Sequence, residues 1–188
     1  MKAAAVGFQP LGPVPEDVQS QLTDDERERL TAAGEFSEDG TGYRAIQSTR
    51  PQTLAYGLTD SPVGQLAWII EKFKEWTDPS ADLPEDAVDR DLLLTNVSLY
   101  WFTGTAGSSA NLYWEAGHDA SAWGPKEQSA VPLGVALGVT DITIRRFAER
   151  DAPVTRWTDL PRGGNFLPAE EPELYVEDVR AFFADQQR

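Results

Sequence analysis

The sequence is short of several things, and each shortage closes a class of function. Cysteine is missing from its 188 residues. That excludes a disulfide framework, a thiolate metal site and a cysteine nucleophile. Histidine occurs once, at His118. One imidazole cannot build a multi-histidine metal centre, and its neighbours Gly117, Asp119, Ala120 and Ser121 read as a surface loop. Carboxylates are plentiful but show no EF-hand spacing. No metal is therefore expected.

Positive charge is also scarce. Sixteen Lys and Arg face 31 Asp and Glu, for a net charge of −15. Such a surface repels phosphate backbones and anionic lipid, so neither nucleic acid nor a membrane is expected as a partner. No stretch approaches the roughly 18 apolar residues of a membrane span. The apolar start is broken by Pro10 and Pro13 before a secretory segment is convincing. A cytoplasmic location is the expectation. Glycine-rich phosphate loops are missing too. Gly40-Thr41-Gly42 and Gly104-Thr105-Ala106-Gly107 lack the strand-before, helix-after context that such loops need, so no cofactor is expected. There is no Gly-x-Ser-x-Gly nucleophile elbow.

What is present points to a packed α/β protein. The apolar share is 40%, with six Trp, enough for a core rather than disorder. A helical pattern runs from Pro15 to about Ala33, followed by a turn-rich stretch from Gly34 to Gly42 and a short polar stretch after Pro51. Asp60-Ser61-Pro62 is a helix start, with a capping side chain before a first-turn proline. Leu66, Ile69, Ile70, Phe73 and Trp76 then share one face. Asp78 to Asp89 reads as an acidic surface linker. A further helix runs from Leu92 to Trp101 and on past Gly104 and Gly107. After that the pattern changes. Val131 to Val139 is a continuous apolar run suited to a strand buried on both faces of a parallel sheet. A short helical turn at Ile144–Arg150, a strand from Val154 to Leu160 and a final helix from Glu170 to Gln186 complete the chain. A helical first half thus precedes β-α-β-α, with a boundary expected around residues 80–90.

Four runs carry a resemblance. They are Gly42-Tyr43-Arg44-Ala45-Ile46-Gln47-Ser48-Thr49-Arg50-Pro51, the segment Asp60 to Phe73, the segment Leu94 to Trp101, and Arg162-Gly163-Gly164-Asn165-Phe166 followed by Glu170-Glu171-Pro172-Glu173-Leu174. In this order they resemble the microsomal-type epoxide hydrolases and their bacterial relatives, from about residue 15 to the end. The resemblance implies the C-terminal portion of an α/β-hydrolase fold with an incomplete sheet: residues 1–90 as part of a helical lid, and residues 91–188 as the end of that lid and the last β-α-β-α units of the core.

In that family an Asp opens the epoxide to an ester, and a His–carboxylate pair activates the water that hydrolyses it. Two lid tyrosines donate hydrogen bonds to the epoxide oxygen as it becomes an alkoxide. A strained ring yields to a carboxylate only if the leaving oxygen is stabilised as charge develops. The resemblance assigns the tyrosine roles to Tyr43 and Tyr113, and the relay acid to Asp141, which follows the strand ending near Val139. Two departures stand out. Gly138-Val139 replaces the family's Phe-Pro before the acid, and Asn165 stands where the family has the His base. An amide cannot accept a proton near neutral pH. The family's nucleophile elbow and its oxyanion loop also belong to an N-terminal half that these residues do not match.

The chain is therefore expected to turn over no epoxide by the family route alone. Three readings remain open. One is a truncated or degenerate half. Another is one half of a split enzyme whose partner chain supplies the Asp. The last is a non-catalytic module for apolar ligands, with Trp68, Trp101 and Phe102 as pocket walls. In each, the ligand class is a small apolar epoxide or a related molecule.

Overall fold

A computed structural model describes residues 2–3, 20–119 and 131–186. The chain forms two compact units: residues 1–36, 76–80 and 128–188 make one, and residues 37–75 and 81–127 the other.

The first unit is α/β. Its sheet has the order β1-β2-β3, with β1 Lys2–Ala3, β2 Leu133–Leu137 and β3 Val154–Asp159. Both pairings are parallel, and Leu137 stands opposite Asp159. Val135 and Leu137 are 1% exposed, the burial expected of an apolar strand with neighbours on both edges. After the short α9, Leu167–Glu170, helix α10, Pro172–Asp185, covers this sheet. Its buried Phe182 ring lies where a side chain on Gly134 would be. The missing Cβ is what lets helix and strand approach. Asp178 of α10 is buried as well. Its Oδ1 accepts from Arg156 Nε at 2.8 Å and from Thr158 Oγ1 at 2.7 Å, both from β3. A buried carboxylate needs such partners to offset its desolvation.

Helix α1, Asp24–Asp39, begins on a reciprocal capping box. The Glu26 amide donates to Thr23 Oγ1 and the Thr23 amide to Glu26 Oε2. The same Glu26 carboxylate takes two hydrogen bonds of 2.7 Å from Arg146 of α8, Arg145–Asp151. Arg29, one turn along α1, donates to the carbonyls of Asp141 and Thr143 at 3.2 Å each.

The second unit is helical: α2 Gly42–Thr49, α3 Pro51–Asp60, α4 Pro62–Trp76, α5 Pro84–Ala87, α6 Arg90–Thr103 and α7 Ala106–His118. Helix α7 packs on α2 and α3. Small residues make this possible, for a Cβ on Gly107 would stand 3.0 Å from that of Ala55. Gln65 of α4 is 1% exposed, and its amide donates to the Val97 carbonyl of α6 at 3.1 Å.

Several sequence readings shift. Helix α1 begins only at Asp24 and runs through Gly34 to Asp39, where a turn was expected; residues 15–19 of the expected helix lie outside the described part. The stretch after Pro51 is a full helix, started by Pro51 in its first turn. The long helix expected past Gly104 is two helices. Gly104 takes a left-handed conformation, φ 64°, and ends the first of them. Among the described residues no helix is long and apolar enough to cross a membrane, and no cluster of His, Asp and Glu could hold a metal ion.

Candidate functional site

The two tyrosines singled out by the resemblance meet. Tyr43 sits in the first turn of α2 and Tyr113 in the middle of α7. Their rings pack edge to face, with centroids 5.8 Å apart and planes at 84°. Burial, and then the neighbouring Tyr113, push the Tyr43 phenol above its ordinary range. Tyr43 is thus held as a neutral O–H, the form that can donate.

Sequence reasoning missed a third member of this cluster. The Lys72 ammonium of α4 lies 5.2 Å from the Tyr43 ring centroid, a cation–π distance. Glu71 Oε1 and Glu75 Oε2 hold it at 2.7 and 2.8 Å. Burial works to lower the Lys72 pKa, but the two carboxylates outweigh it and the group stays charged.

Asp141 lies on the loop after β2. Its Oδ1 accepts from the Thr143 amide at 2.7 Å, and its own amide donates to the Gly138 carbonyl at 3.2 Å. The side chain closes a local turn rather than capping a helix, since α8 begins only at Arg145. Arg29, through the two carbonyls described above, fixes the same loop from α1.

Asn165 lies on the loop after β3, and that loop packs against the one carrying Asp141. The Val139 amide donates to the Gly163 carbonyl at 2.7 Å. A Cβ on Gly138 would collide with the carbonyl oxygens of Gly163 and Gly164. Gly138, which looked like a weakening of the family pattern, is the residue that lets these two loops touch. Asn165 itself is exposed. Among the described residues its side chain makes no hydrogen bond with Asp141.

The other expected residues play smaller parts. His118 is the last residue of α7 rather than a loop residue. It is exposed and stacks on Trp114 at 4.3 Å, with Nδ1 2.8 Å from the Trp114 carbonyl oxygen. Phe102 is 84% exposed on α6, at an open groove shared with Asp91, Leu94, Thr95, Ser98, Leu99 and Thr103. It does not wall an enclosed pocket.

The chain matches no family model. It is 40% identical over 167 residues to a protein of Stigmatella aurantiaca provisionally named as an epoxide hydrolase, a match covering 87% of this chain and 37% of that one. It is 38% identical over 154 residues to epoxide hydrolase 1 of Sus scrofa, covering 76% and 34% of the two chains. The solved structure of Aspergillus niger epoxide hydrolase superposes with a TM-score of 0.76 at 27% identity, over 95% of this chain and 45% of that one. The chain thus spans little more than a third of the length of these curated relatives.

Proposed function

From its homology to the C-terminal part of the α/β-hydrolase epoxide hydrolases, we propose that this chain serves an epoxide-hydrolase-type site as the part that grips the epoxide oxygen, and that it brings no histidine base. The Tyr43–Tyr113 pair carries this reading. Two phenols from different helices, packed edge to face, can turn both donors to one oxygen that gains negative charge. Donors aimed at the place where charge develops lower the barrier to ring opening. A carboxylate attacks a ring carbon, the C–O bond breaks, and the alkoxide takes a proton from one phenol while the other hydrogen-bonds to it. The carboxylate comes from outside the residues assigned here, and a chain supplying the N-terminal half is the partner proposed for that role.

The second half-reaction, hydrolysis of the ester, needs a base on water. Asp141 holds the family's relay position, but Asn165 cannot take a proton near pH 7. An ester formed with such a partner is expected to persist.

Calorimetric titration of the purified chain with styrene oxide and with its diol tests the proposal. Tyr43→Phe and Tyr113→Phe should each weaken binding about fivefold, the effect of one hydrogen bond worth ~1 kcal/mol. Equal affinity in the wild type and both variants would overturn the tyrosine roles. Diol released by the unmodified chain at pH 7 would overturn the reading of Asn165.

A further inference from the structure

The loop Gly163-Gly164-Asn165-Phe166 is held by every one of its backbone amides. Gly163 donates to Asp78 Oδ2 at 2.8 Å, and Gly164 to Glu170 Oε2 at 2.9 Å. Asn165 donates to the Trp76 carbonyl at 2.8 Å, and Phe166 to Glu170 Oε1 at 2.9 Å. The two carboxylates are themselves linked, because the Asp78 amide donates to Glu170 Oε2 at 2.8 Å. Asp78 Oδ1 takes the Ser80 amide at 2.9 Å. The glycines permit the arrangement. Gly163 has φ 88°, and a Cβ on Gly164 would collide with the Trp76 carbonyl oxygen. The Phe166 ring stacks near Trp76, with centroids 6.3 Å apart. Of these four residues Asn165 is the exposed one.

We propose that Asp78 and Glu170 form a carboxylate clamp whose role is to position the side chain of residue 165. Neither carboxylate touches that side chain. They act through the backbone, and amide-to-carboxylate bonds are stronger than neutral ones. The importance of position 165 rests on the reading of the preceding section, but the clamp can be tested without any epoxide. The hydrogen bonds of Ser80 and Gly163 hold Asp78 below the ordinary carboxylate range, so at neutral pH it is a pure acceptor.

The test is amide NMR of the wild-type chain across an acid titration. The amide protons of Gly163, Gly164 and Phe166 should each move upfield as their carboxylate acceptor is protonated. The Asn165 amide, on a carbonyl, should show no such step. Glu170→Gln should then free the loop: backbone order parameters at 164–166 should fall from about 0.85 to below about 0.6, and that of the Asn165 side-chain amide should fall with them, with β2 and β3 still protected from exchange. Asp78→Asn should loosen residue 163 in the same way. Identical pH profiles at all four amides would overturn the clamp. A side chain at 165 that stays equally ordered when Glu170 is replaced would also overturn it. If Glu170→Gln unfolds the unit, the wild-type titration still decides.

Discussion

Tyr43 and Tyr113 stand edge to face, with 5.8 Å between ring centroids and their planes at 84°. Burial and then Tyr113 raise the Tyr43 pKa, so its neutral form outlasts that of a free phenol, whose pKa is about 10. The native state therefore binds this proton more tightly than the unfolded chain. The stability it lends is fully present below pH ~10 and is lost as pH rises through the folded value. Absorbance titration should show one tyrosine ionising later than the rest. Tyr113→Phe should bring it part of the way back. A Tyr43→Phe chain should lose less stability than the wild type between pH 10 and pH 11.

Glu26 links the start of α1 to Arg146 of α8 while closing its own capping box. Burial opposes its ionisation, but the Thr23 amide and the Arg146 guanidinium outweigh this and hold the carboxyl below its ordinary range. The sign here is opposite to that of Tyr43. The contribution is present above the unfolded pKa, about 4.3, and is lost as pH falls through the folded value. Glu26→Gln should lower the melting temperature at pH 7 and narrow the difference from the wild type at pH 3. The pair is only partly buried, so about 1 kcal/mol is expected, or roughly 2–4 °C in a chain of this size.

Much of this arrangement was legible in the sequence. The run Val131 to Val139 announced a buried parallel strand, because continuous apolar residues between Gly and Pro suit few other settings. The pairing of Tyr43 with Tyr113 came from resemblance alone, since nothing in local spacing relates positions on two different helices. The clamp was not legible. Glu170 lay within a run already matched to the family, but nothing in its spacing showed that its side chain turns back to Gly164 and Phe166. Asp78 looked like one acid among many in an acidic stretch, and its distinction comes only from a partner 85 positions away. The helix Pro51–Asp60 was hidden by its polar residues, because burial of Ala55 and Leu58 against α7 outweighs their weak pattern.

Gly138 is expected to tolerate no side chain. Its backbone touches the Gly163 and Gly164 carbonyls, so even a methyl group must drive the two loops apart. The loss would include the bond from the Val139 amide to the Gly163 carbonyl. Gly138→Ala should cost about 2 kcal/mol or more, as overpacking against fixed backbone does. Thermal unfolding measures this. The control is Gly34→Ala on α1, where a Cβ meets nothing within 4 Å. That change should stabilise by up to about 1 kcal/mol, since glycine is the weaker helix former. A Gly138→Ala chain as stable as the wild type would mean that the loops part easily.

Asn165→His asks whether Asp141 still holds a relay position. The fold should accept the change with little effect on melting: residue 165 is exposed, and its backbone bond to Trp76 does not depend on the side chain. The informative quantity is the pKa of the new imidazole, followed by NMR. A free histidine titrates near 6.5. A carboxylate within about 4–6 Å favours the imidazolium and raises that value, by about a unit or more where the contact is close. The loops bearing Asp141 and residue 165 are tied at Val139 and Gly163, so the imidazole should titrate above 6.5. Adding Asp141→Asn should return it toward 6.5. An imidazole indifferent to Asp141 would remove Asp141 from the relay role, whatever Tyr43 and Tyr113 do.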